Sequence, residues 1–192
     1  MTLPLVPALP GFDEPIEMLR ACHDRIAHQC TTLERLVPHL KRHGCDQTAR
    51  EAAAGVLRYF TLAGPHHHAD EERDLFPRLL DVATGEDAQR AALLVTSMVA
   101  DHREMERLWS EIEPALAAIA RGAIDGLDGV LVGAFCTVYR NHMAIEENDV
   151  IALAERVLPP AALTEIGWSM SIRRGVKPPE AEAPGSAAPS SS

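Results

Sequence analysis

His66-His67-His68-Ala69-Asp70-Glu71-Glu72-Arg73-Asp74-Leu75-Phe76-Pro77 places a histidine and a glutamate four residues apart, the spacing that stacks two side chains on one face of a helix. The same device returns at His142-Met143-Ala144-Ile145-Glu146-Glu147. Two such helices facing each other aim imidazoles and carboxylates into one pocket, a donor mixture that suits a pair of transition-metal ions. His68 and Glu72 repeat the spacing of His67 and Glu71, so the register is taken from the two internal copies. Superposing His67-x-x-x-Glu71-Glu72 on His142-x-x-x-Glu146-Glu147 selects His67 and Glu71. His66 and His68 then project about 100° to either side and read as surface groups or as supports behind the ligands.

Outward from this stretch, the apolar pattern predicts an all-α chain. A first helix is expected from about Asp13 to His43, with Ile16, Leu19, His23, Ile26, Cys30, Leu33 and Leu40 near one face and Gly44 ending it. Asp46 can cap a second helix that reaches about Val82. Gly64-Pro65 in its interior predicts a kink just before the histidines, because proline removes one backbone donor and crowds the preceding turn. A third helix follows the turn at Thr84-Gly85-Glu86-Asp87 and runs to about Arg121; a fourth ends near Leu158 at Pro159-Pro160. A short amphipathic segment around Ala161 to Ser171 is expected to pack over the bundle end. The domain boundaries read from this pattern are an extended arm over 1–12, a helical bundle over 13–174, and a disordered tail over 175–192, where Pro, Glu, Ala, Gly and Ser dominate.

Four long helices joined by short turns form an up-down-up-down four-helix bundle. Counting residues from each turn puts His23, His67, His102 and His142, one per helix, at the same height to within about one turn. A lone buried histidine is usually structural; four at one level, two of them paired with carboxylates, point to a dinuclear site with glutamates bridging and histidines capping. Glu106 lies four residues after His102. It reads as a further ligand, as a group that orients His102, or as a surface residue. Tyr139, one turn before His142, reads as core packing or as a hydrogen-bond donor to a bound oxygen species.

The 192 residues suit one domain, and their net charge of −10 argues against nucleic acid or an anionic membrane as partner. No signal peptide is evident at the N-terminus and no apolar run approaches about 20 residues. Four cysteines without a CxxC pair are few for a disulfide scaffold, so a reducing cytoplasm is the expected location.

The element His67-x-x-x-Glu71-Glu72-x-x-Leu75-Phe76-Pro77, the upstream His23, the mid-chain Asp101-His102 and the late His142-x-x-x-Glu146 together resemble the hemerythrin family of HHE cation-binding proteins. The resemblance covers about residues 13 to 158. It implies a non-haem di-iron centre, two iron ions with an oxo or hydroxo bridge, held by His23, His67, His102 and His142 as terminal ligands and by Glu71 and Glu146 as bridges. Two departures stand out. Oxygen-carrying hemerythrins have a further histidine where this chain has Glu106, and the cluster-repair branch has a cysteine-containing N-terminal domain that this chain lacks.

The expected function is binding of, or reaction with, a small oxidant such as dioxygen, peroxide or nitric oxide, in sensing, detoxification or iron handling. One alternative is a di-iron oxidase or reductase with true turnover. Another is a structural or interaction bundle holding zinc or no metal. A ferritin-like arrangement is disfavoured, since no histidine has a glutamate three residues before it.

Overall fold

The structure, a computed structural model, describes residues 10–124 and 126–177. Among these there is no strand. The helices are α1 (Pro15–His43), α2 (Gln47–Asp70), α3 (Phe76–Val82), α4 (Gly85–Ala120), α5 (Gly129–Ile145), α6 (Ala152–Val157) and α7 (Pro160–Arg173). α2 runs into α3 through a wide turn at Glu71–Leu75, and α5 runs into α6 through a second at Glu146–Ile151. The four rods of the bundle are therefore α1, α2 with α3, α4, and α5 with α6. α1 packs on α2 and α5, and α4 packs on the same two, which closes the ring. The all-α bundle with a short extra helix agrees with the sequence expectation. The arm over 1–9 and most of the expected tail, 178–192, lie outside the described residues.

Local chemistry accounts for most boundaries. Gly44 adopts φ 69° and lets the chain leave α1. Asp46 accepts a hydrogen bond from the Ala49 amide and caps α2, and Asp128 does the same for α5 from Val130 and Leu131. α1 starts two residues after the expected Asp13, and its N-cap, Glu14, makes no side-chain cap. Pro15 opens the helix instead, where its missing donor costs nothing. Residues 64 and 65 stay within α2, which continues unbroken to Asp70.

The two wide turns were not foreseen. In the first, the Phe76 amide donates to the Glu71 carbonyl five residues back, the signature of a π turn. Pro77, next in line, has no amide proton to extend an α-type ladder. The inner face thus advances in a five-residue step from Glu71 to Phe76, and in the internal copy from Glu146 to Ile151. Glu71, Phe76, Glu146 and Ile151 are all buried.

Apolar side chains form two blocks stacked along the bundle axis. One contains Ile26, Phe60, Met105 and Tyr139; the other contains Leu19, Leu75, Phe76, Met98 and Ile151. Along every rod the histidine falls between them: His23 between Leu19 and Ile26, His102 between Met98 and Met105. The bundle therefore carries a polar layer sealed above and below by hydrocarbon, which strengthens every electrostatic interaction inside it.

α7 belongs to the second block through Ala162, Ile166 and Met170. Gly167 touches the arm: a Cβ there would collide with the Phe12 carbonyl oxygen. Gly167→Ala is expected to destabilise the protein by about 1–3 kcal/mol, the usual cost of overpacking a close contact. A chemical denaturation midpoint equal to that of the parent chain would contradict this.

Candidate metal centre

The sealed layer holds two groups of potential ligands. His23, His67, Glu71 and Glu146 form one, and Glu71, His102 and His142 form the other; within each group the donor atoms lie within 4.8 Å of one another. Glu71 is common to both. All six side chains are at most 3% exposed. The rods supply them symmetrically, each helix–π-turn unit giving a histidine and a carboxylate, and α1 and α4 giving one histidine each.

Donor geometry shows what these groups are arranged around. His67 Nε2 lies 2.8 Å from Glu71 Oε1, yet both atoms are buried and neither makes a hydrogen bond. Glu71 Oε2 and Glu146 Oε1 are likewise buried and unsatisfied. The Nε2 atoms of His102 and His142 face each other at 3.3 Å. Buried polar atoms without partners are costly and rare in native proteins. Lone pairs converging on shared points from imidazole and carboxylate are a fit for transition-metal cations, the hard oxygens and borderline nitrogens suiting iron, manganese or zinc.

A ring of outer carboxylates orients the imidazoles. His23 Nδ1 bonds Glu147 at 2.8 Å, and His102 Nδ1 bonds Glu72 at 2.6 Å. His142 Nδ1 has Asp101 at 3.5 Å. Each contact directs Nε2 inward, and together these carboxylates add negative charge around the centre. The second glutamate of each Glu-Glu pair thus serves a histidine on a neighbouring rod while the first faces the centre. Sequence reasoning used these doublets only to set register. Their recurrence in both copies was the available signal, but which histidine each would meet depended on the packing of the rods.

His68 is not a surface group. Its ring stacks on His102 with centroids 4.0 Å apart and 9° between planes, and its Nε2 lies 3.5 Å from the Tyr139 hydroxyl. Burial pushes His68 down to about 3, helped by the neighbouring His102, so it stays neutral. Glu106, carried in the sequence reading as a candidate ligand, is exposed and belongs to neither donor group. It lines a cavity of about 70 Å³ with Phe60, Met105, Trp109, His68 and Tyr139. Its position one turn beyond His102 takes it past the sealed layer and out to the bundle wall.

In the metal-free chain the layer holds its own charge balance. Burial pushes Glu71 up, but His67, His102 and His142 outweigh it and keep the carboxylate well below its usual range. Burial and the charge of Glu71 push Glu146 up, and its close contacts with His142 and His23 bring it below its ordinary value. Conversely, burial lowers His67, yet the charge of Glu71 and contacts with Cys22 and Glu71 hold it well above the histidine norm. His142 reaches about 9 against the pull of burial, through Glu146 and Glu71.

Fold and donor set together define a helical-bundle protein with a buried, paired histidine–carboxylate centre. The chain belongs to the hemerythrin HHE cation-binding domain family, whose model matches residues 14–154. It is also 32% identical over 166 residues, 86% of this chain and 93% of the relative, to a Haemophilus influenzae protein described as "Uncharacterized protein".

Proposed function

We propose that this protein holds two iron ions in a non-haem di-iron centre and binds or reacts with a small oxidant, dioxygen, peroxide or nitric oxide. His23, His67 and Glu146 would hold one ion and His102 and His142 the other, with Glu71 shared. The observation that carries this reading is the pair of donor groups joined at Glu71, with buried nitrogens and oxygens left unpaired. Iron bound there supplies electrons and a Lewis-acidic coordination position to a small molecule.

The protein's own part is to hold, orient and exclude. Glu72, Glu147 and Asp101 turn the imidazoles inward, and the apolar blocks keep bulk water from the layer. The adjoining cavity, about 70 Å³ and walled by Phe60, Met105 and Trp109, has room for a molecule of two or three heavy atoms. Tyr139 faces this cavity and is held well above its ordinary pKa, first by burial, so its hydroxyl remains a proton-bearing donor. Such a site favours a small neutral ligand over nucleic acid or an anionic membrane. No helix among the described residues is long and apolar enough to cross a membrane. A reducing cytoplasm suits the free cysteines Cys22, Cys30, Cys45 and Cys136.

The test is metal content after anaerobic loading with ferrous iron, followed by optical spectra before and after oxygen, peroxide and nitric oxide. Near two irons per chain and a ligand-to-iron absorption band are expected. A chain that retains no iron, or keeps zinc in preference, would overturn the reading.

A further inference from the structure

Asp70 immediately precedes the π turn that presents Glu71, Asp74 lies within it, and both reach the end of α7. Arg173 bonds Asp70, and its other guanidinium nitrogen lies 2.6 Å from Asp74. Arg174 grips Asp70 as well, with Nη2 at 2.5 Å and Nη1 at 3.1 Å. The Asp70 side chain is 0% exposed, and those of Arg173 and Arg174 only 17% and 21%. Two aspartates and two arginines thus cancel in charge beneath the bundle surface. Bidentate guanidinium contacts of this kind are the stronger and more directional ion pairs.

The internal copy lacks this arrangement. At the positions matching Asp70 and Asp74, the second π turn has Ile145 and Asp149; Asp149 pairs with Arg90 across side chains 36% and 54% exposed. The clamp is therefore not a requirement of a π turn as such. It sits on the turn whose glutamate is shared by both donor groups. α7 follows the family-matched segment, which ends at residue 154, and is anchored by the fully buried Ile166 and Met170.

We propose that Arg173 and Arg174 are positioning residues: through Asp70 and Asp74, α7 locks the first π turn and thereby holds Glu71 in place for both metal ions. The inference rests on the metal reading given above, but the local order it predicts is measurable without metal. Removing one member of such a network leaves buried charge uncompensated. The turn then loosens directly beside the shared ligand.

The experiment compares the full chain with R173Q/R174Q and with R90Q, which cuts the exposed pair on the other π turn. In iron-loaded protein, release to a strong chelator is expected at least tenfold faster in R173Q/R174Q, the usual scale for losing an outer-sphere support, and within twofold of the parent in R90Q. In metal-free protein, hydrogen exchange is expected to accelerate over residues 70–76 while the α4 and α5 amides keep their protection. If the double variant does not fold, R174Q alone, which leaves Arg173 bridging Asp70 and Asp74, takes its place with the same expected direction. Iron release within twofold of the parent, or exchange that rises evenly along the chain, would overturn the clamp. A parent chain that holds no iron would sink the di-iron reading alone, and the exchange pattern would still decide the clamp.

Discussion

Glu71→Gln should abolish metal retention at both positions at once. The substitution keeps the side chain's size and one carbonyl oxygen but removes its negative charge. Glu71 lies in both donor groups, and its carboxylate stands within 2.9 Å of His67 and of His102. Its amide replacement leaves the second group with imidazoles alone and the first with Glu146 as its one carboxylate, too little anionic charge to offset a pair of cations. Metal content measured by elemental analysis should fall from near two ions per chain to near zero. The matching change at Glu146, which belongs to one group only, should leave partial occupancy. Glu106→Gln should leave metal content unchanged, because Glu106 is exposed and outside both groups. A Glu71→Gln protein that still holds both ions would remove the shared-ligand role, and with it the dinuclear interpretation.

Metal loading should depend steeply on pH, and the sign follows from the protonation of the layer. His142 titrates at about 9 in the metal-free chain, and His67 is also raised well above the ordinary value. At neutral pH both therefore carry protons that metal must displace. Two displaced protons correspond to a gain of about 100-fold in apparent affinity per pH unit, flattening as the pH passes about 9. Chelator competition at several pH values measures the slope, and a flat profile between pH 6 and 8 would contradict it.

Stability of the metal-free chain should run the other way. For raised histidines, the contribution is fully present below the unfolded pKa of about 6.5 and is lost as pH rises through about 9. For the depressed glutamates, Glu71 and Glu146, it is present above about 4.5 and lost as pH falls. The layer therefore stabilises the metal-free fold most between about pH 4.5 and 6.5, whereas metal binding stabilises it increasingly above that window. Thermal melts of the metal-free and loaded forms should diverge as pH rises.

The four rods, the heights of their histidines and the pairing of His67 with Glu71 were legible in the linear chain. Each depends on short-range rules: the 3.6-residue period, caps such as Asp46, and stops such as Gly44 and Pro159. The internal copy at His142 and Glu146 set the register without any knowledge of packing. Family membership was legible for the same reason, since its motif is local. α1 begins two residues later than expected, at Pro15, which sets the start in place of a side-chain cap.

Tertiary packing alone decided the rest. Which histidine Glu72 and Glu147 would orient depended on the distances between rods, as did the stacking of His68 on His102. The π turns arise where a five-residue step lets Phe76 and Ile151 rejoin the apolar block, a choice made by side chains distant in sequence. Glu106 had the right spacing from His102, yet one turn along α4 carried it beyond the sealed layer to the surface. The link from α7 to Asp70 spans about a hundred residues, and no local pattern announces it. Helical periodicity says which side chains share a face, but only the assembled bundle says what that face meets.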